Sequence, residues 1–434
     1  MRIFEIKNTN TMKRIFWLII CILSINTSYG QFDNYFINKT LRLDYTHAGN
    51  AKSEFYYLDE LLEEPYWGGS KINLIDHFKY GKYFFEVYDK SERTLIYSRG
   101  YSSLFAEWQT ILEAREVSKS FEETIVFPMP KKAVIVMMYS RNWEGKLIKQ
   151  AEYEIDPNNY FIHRGLKKEF PVYQALNQGD PSEKIDIVIL PDGYTKKEME
   201  LFIQDCNKFA KVLFEFYPYS KYKDRFNISG ILAPSIESGA DIPKDSIWKN
   251  TILGSSFYTF DSERYCMTNE NKAVRDLAAN VPYDQIYILV NSPKYGGGAI
   301  LNHYNLSVNS NQKAGKIFIH ELGHGFAGLG DEYYDSSTSY NDFYNLEVEP
   351  WEPNLTTLVK FDSKWKKLIP SGTPIPTPDS SAYNSGIGVF EGGGYSAKGI
   401  YRPKKDCLMH TFNGETFCET CSEAIEKMIQ FYSK

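Results

Sequence analysis

His320 and His324 stand four residues apart in the run from Lys316 to His324, which reads KIFIHELGH. On a helix both imidazoles project from one face, about one turn apart, so a single metal ion can take both. Zinc suits neutral nitrogen donors at about 2.0–2.1 Å, and a hydrolytic site keeps one position open to water. Glu321, next to His320, then stands beside that water, where it can accept a proton and later return it to a leaving amine. A third donor is expected just beyond the helix. Gly328 and Gly330 offer a stop, and a chain that turns at Gly328 brings Asp331 back to the metal, whereas a continuing helix would carry it away. Glu332 competes for this role, and Asp331 is preferred. The expected site is one catalytic zinc on His320, His324 and Asp331, with Glu321 as general base and acid.

Other residues carry weaker signals. Cys407, Cys418 and Cys421, with His410 among them, form a permitted set for a second, structural zinc. A disulfide among the three thiols is the preferred reading in an exported chain, tying the segment around Met409 to a C-terminal helix that begins near Cys421. A second bridge, Cys206 to Cys266, is the companion expectation. His410 and Tyr401 are candidates for stabilising a tetrahedral oxyanion, with surface or supporting roles preferred for both. The acidic stretch from Asp331 to Asp335, with Asp342, reads as solvated surface rather than a calcium loop. Gly296, Gly297 and Gly298 are followed by no Lys-Ser/Thr pair, so they make no phosphate loop.

These groups need a scaffold. The chain has 434 residues, of which 43% are hydrophobic and 16% aromatic, enough for more than one core. A formal charge of −6 gives no electrostatic reason for a nucleic-acid or anionic-membrane partner. Lys13 and Arg14, the apolar run from Ile15 to Leu23 and the ending Ser28-Tyr29-Gly30 have the order of a signal peptide over residues 1–30. The apolar run falls short of the roughly 20 residues a bilayer span needs, so no integral span is expected after cleavage. Ile20 before Cys21 tells against lipidation. The protein is expected to be secreted, periplasmic or at the cell surface.

Residues 31–156 carry short strand-like runs, among them Tyr83 to Tyr88, Thr94 to Tyr97 and Ala133 to Met138, and predict an all-β, sandwich-like N-terminal domain. Its histidines, His47 and His77, with His163 just beyond, have no ligand-like spacing. Residues 157–183 read as a linker. Residues 184–434 alternate: strands over 185–190, 226–232 and 285–290, helices over 196–216 and 271–280, then the motif helix. Residues 370–394 read as a long surface loop.

The run from His320 to Tyr333, HELGHGFAGLGDEY, resembles the motif of the IgA-peptidase family of metzincin-type zinc metallopeptidases. A second patch matches as well, from Phe390-Glu391-Gly392 through Lys398 to Pro403 and on to Asp406-Cys407-Leu408-Met409. The resemblance covers roughly Ile185 to the C-terminus, and the N-terminal part is similar to the domain that often precedes the peptidase there. It implies a metzincin-like zinc peptidase domain with Met409 in a turn beneath the metal. It also implies an exposed edge strand over Ala299 to Asn309 where an extended peptide can pair. The commonest metzincin spacing differs: Ala327 and Gly330 fill its glycine and third-histidine positions, with Gly328 and Asp331 one step later, as in the aspartate version of this family. The expected function is an exported zinc metalloendopeptidase acting on protein substrates, with immunoglobulin A or other glycoproteins implied by the family name. Two alternatives stand beside it: a non-catalytic glycoprotein- or glycan-binding protein with a vestigial zinc domain, and a cell-wall peptide amidase.

Overall fold

The computed structural model describes residues 29–334, 343–414 and 416–434. The signal-like segment up to residue 28 lies outside the described residues, as do Asp335 and Asp342 of the acidic stretch. The architecture is mixed α/β, with several sheets and a β-rich N-terminal region.

That region holds eight strands: β1 (Phe36–Asn50), β2 (Ser53–Glu64), β3 (Tyr83–Asp89), β4 (Leu95–Tyr101), β5 (Lys119–Pro130), β6 (Val134–Arg141), β7 (Leu147–Ile155) and β8 (His163–Arg164). They form two sheets, β5-β1-β2-β8 and β4-β3-β6-β7, which share one core. Alternation explains the arrangement. Leu41, Leu43 and Tyr45 of β1 enter that core with Phe85 and Val87 of β3, so Arg42 and Asp44 must point the other way. They are buried too, because the second half of the chain covers this outer face.

The second half is built on a six-stranded sheet, in the order β13-β14-β12-β10-β11-β9. Its strands are β9 (Val172–Leu176), β10 (Ile185–Asp192), β11 (Phe226–Ile231), β12 (Gln285–Val290), β13 (Gly297–Ile300) and β14 (Tyr304–Val308). The four inner strands run parallel, and β9 and β13 are antiparallel edges. Every residue of β10 and β12 is buried, as a sheet covered on both faces requires. Ile187 and Ile189 pack on one side with helices α1 (Met199–Leu213), α3 (Ala314–Ala327) and α4 (Glu419–Tyr432), while Val188 and Leu190 pack on the other with α2 (Asn271–Ala278).

Three elements differ in detail from the sequence reading. The run 299–309 is a hairpin rather than one edge strand: Asn302 takes a left-handed conformation at φ 53°, which Asn tolerates, and reverses the chain. The edge is therefore the short β13, and β14 is paired on both sides. Strands β8 and β9 lie within the segment read as linker, and β9 pairs with β11. Residues 390–393 of the expected loop form β15 (Phe390–Gly393), paired with β16 (Ser396–Arg402).

The two halves meet through buried charge. Arg42 is 1% exposed; it donates two hydrogen bonds to Asp44, at 2.8 and 2.6 Å, and one to Asp276 on α2 at 2.7 Å. Asn271 on α2 donates to Thr124 of β5 at 2.8 Å, and Thr124 in turn donates to Asp44. Removing one member of a buried ion network leaves the others uncompensated. Arg42→Ala is therefore expected to cost about 3–5 kcal/mol, read as a lowered midpoint in urea unfolding.

Candidate metal centre

Helix α3 carries the motif. Its side toward the core is filled by Phe318, Ile319, Leu322 and Phe326, which fixes the helix and turns His320 and His324 toward a cavity between the two halves. The helix ends at Gly328, with φ 65°, a conformation that costs glycine little. The turn brings Asp331 back onto the histidines.

His320 Nε2 and His324 Nε2 lie 3.1 Å apart, and Asp331 Oδ1 is 3.2 and 3.3 Å from them. Donors held about 2.0–2.2 Å from a tetrahedral ion are separated by about 3.3–3.5 Å, so the triangle has close to the right edge. The proton arrangement agrees. His320 Nδ1 donates to the Leu408 carbonyl at 2.9 Å and His324 Nδ1 to the Leu329 carbonyl at 2.6 Å, which leaves both Nε2 atoms as acceptors facing one another. Asp331 Oδ1 is buried without a hydrogen-bond partner among the described residues, while Oδ2 accepts from Tyr333 at 2.8 Å and from Tyr395. With both rings neutral, three largely buried acceptors pointing at one spot repel unless a cation, a proton or a metal ion, lies between them. The charge balance points the same way. Burial pushes the Asp331 carboxyl up, yet the two imidazoles hold it well below the usual carboxylate range; burial pushes His324 down, yet Asp331 raises it to about 9. The donor set fits a divalent metal.

Glu321 is 9% exposed and lines the same cavity; burial raises its pKa, with His320 and His324 opposing the shift. Met409 lies under the motif helix, where a Cβ on Gly323 would stand 3.0 Å from its sulfur; Gly323 permits that close approach. Glu332 points elsewhere. It is fully buried, accepts from Asn354 at 3.0 Å and sits among Cys407, Cys418 and Cys421. His410 lines the cavity. Tyr401 does not; its ring packs beside the Phe361–Trp365 cluster.

The cavity measures about 1180 Å³. β13 lines it, and Glu54, Lys82, Arg141 and Trp143 of the N-terminal half supply the facing wall. Several contributors carried no usable sequence signal. Arg264 stacks over Tyr333 with its guanidinium 5.2 Å from the ring, and Tyr395 reaches Asp331 across 64 residues of chain. Glu107, which accepts from Tyr265, comes from the N-terminal half, and burial raises it to about 7. Only Tyr333 could have been suspected, from its place at the end of the motif.

A two-histidine helix, a returning carboxylate and a buried glutamate at a cleft define the type of site found in metal-dependent peptidases. The sequence profile described as IgA peptidase M64 matches residues 174–384 and 379–429, and the profile described as peptidase M64 N-terminus matches residues 31–151. The chain belongs to the IgA peptidase M64 family, and its activity class is that of a peptidase. No curated protein matches it.

The tyrosine bonds to Asp331 should govern how well the triangle holds an ion. Tyr333→Phe is expected to weaken divalent-ion binding at the histidine pair about 10–100-fold, and Asp331→Ala to weaken it further. Competition with a chromogenic chelator measures both.

Proposed function

We propose that the protein is an exported zinc metalloendopeptidase that cleaves internal bonds of protein substrates in a metzincin-like domain. The observation that carries this reading is the orphaned Asp331 Oδ1, 3.2–3.3 Å from two imidazole nitrogens whose other nitrogens are bound to backbone carbonyls. Zinc fits the nitrogen and oxygen donors, and His320, His324 and Asp331 would hold it. When bound, the ion supplies Lewis acidity that activates water and polarises the scissile carbonyl.

The remaining chemistry belongs to the chain. Glu321, raised by burial and adjacent to the histidines, takes the proton of the attacking water on a carboxylate oxygen and delivers it to the departing amine nitrogen. Its desolvation strengthens its hold on the proton and so favours that exchange. β13, antiparallel and at the sheet edge, offers backbone groups to an extended peptide. Arg264 and His410, both lining the cavity, supply positive or donor groups for a developing oxyanion. Immunoglobulin A or another glycoprotein is the candidate substrate class suggested by the family description. Among the described residues no helix is long and apolar enough to cross a membrane.

Glu321→Gln preserves shape but cannot take the proton. Peptide cleavage is expected to fall about 10²–10⁴-fold or more while the bound zinc stays. The measurement is mass-spectrometric scoring of a proteome-derived peptide library, with metal content assayed in parallel; equal cleavage by a zinc-loaded Gln variant would overturn the mechanism. Export predicts a mature N-terminus near Gln31, which N-terminal sequencing of protein recovered outside the cytoplasm checks.

A further inference from the structure

On the far side of the chain from Asp331, four more ligand-type groups converge. Glu332, Cys407, Cys418 and Cys421 are all buried, and one donor atom from each lies within 4.8 Å of the others. Cys407 Sγ is 3.8 Å from Cys421 Sγ, and Cys421 Sγ is 3.2 Å from Glu332 Oε1. The other carboxylate oxygen, Glu332 Oε2, is buried and without a hydrogen-bond partner among the described residues. His410, the fourth donor suggested by spacing, faces the cleft instead.

The separation of the sulfurs decides between the two chemistries open to them. A disulfide needs about 2.05 Å, whereas two thiolates held about 2.3 Å from a tetrahedral ion stand about 3.8 Å apart. A disulfide would also consume two thiols and strand the third, together with a buried carboxylate, in a dry pocket. An ion engages all four. Two features of the pocket would stabilise sulfur bound to a cation: Cys418 and Cys421 lie at the N-terminus of the 14-residue α4, and the Cys418 backbone N–H points at Cys407 Sγ from 3.3 Å. Cys206 and Cys266 are unbridged and sit in separate cores, so the bridge expected between them is not formed.

We propose that Glu332, Cys407, Cys418 and Cys421 form a second metal site, structural and suited to zinc by its three sulfurs and one oxygen. Each thiol gives up its proton to solvent as the ion binds. With all four positions taken by protein the site has no room for substrate, and its role is to fasten chain segments. Glu332 adjoins Asp331, and Cys407 precedes Leu408, whose carbonyl holds His320. The ion would thus clamp two of the segments that aim the donors of the first centre.

The test uses the full mature chain purified without chelator. Elemental analysis is expected to give about two zinc ions per chain, with about one remaining in His320→Ala/His324→Ala. X-ray absorption at the zinc edge of that double variant should show sulfur neighbours at about 2.3 Å, a readout independent of activity. Cys418→Ser should lose an ion while the histidine centre keeps its own, with a lowered melting temperature. Should that variant fail to fold, the double histidine variant and a thiol count on the wild-type protein decide. Zinc with nitrogen and oxygen neighbours only, or a peptide map linking two of the three cysteines in the purified protein, overturns the proposal. A double histidine variant that keeps both ions would instead remove the first centre and leave this one standing.

Discussion

Two imidazole nitrogens and one carboxylate oxygen, all acceptors when the rings are neutral, are held within 3.3 Å of one another on the wall of the cleft. Left alone they repel, and the surrounding structure resists that repulsion from three sides. α3 supplies the two histidines from successive turns, backbone carbonyls of Leu329 and Leu408 lock their rings, and the Gly328 turn returns Asp331 with its second oxygen bound by two tyrosines. The Leu408 carbonyl and Tyr395 come from far along the chain, so the centre is complete only when those C-terminal segments have folded onto the motif helix. Preorganisation of this sort places the reorganisation cost in folding rather than in catalysis.

The N-terminal half enters the same logic through burial of charge. β1 presents apolar side chains to its own core and Arg42 and Asp44 to α2, so the sheet is covered on both faces by different partners. Such an interface is specific in orientation because its ions must be paired one by one. The same half brings Glu107 against Tyr265 and supplies one wall of the cleft. The cleft is therefore a product of both halves.

Much of this was legible in the residues. The i, i+4 histidines, the adjacent glutamate and the glycine stop pointed to a helix with both imidazoles on one face and to a carboxylate returning to them, because helical geometry converts such spacing directly into a shared face. The largely apolar runs at 185–190 and 285–290 read as strands, the first as a buried one, and both are fully buried in the sheet. What could not be read were contacts set by tertiary placement: Tyr395 and Arg264 near Asp331, Glu332 among the cysteines, and the reversal at Asn302 that turned one expected strand into a hairpin. None of these has a period or a short-range motif. Cys407, Cys418 and Cys421 showed that sulfur chemistry was present, but the fourth member lies 75 residues upstream of Cys407 and only the fold reveals it.

Asp331 and Glu332 are consecutive, and their carboxyl groups face opposite sides of the chain, one toward the histidines and one toward the thiols. Alternation of that kind makes the segment intolerant of a shift in frame. Inserting or deleting one residue between Gly328 and Asp331 would put one carboxylate in the other's place and leave the second at neither cluster. Over evolutionary time such a stretch should therefore keep its length more strictly than its composition, a signature that a comparison of loop lengths among relatives would expose even where identities have drifted.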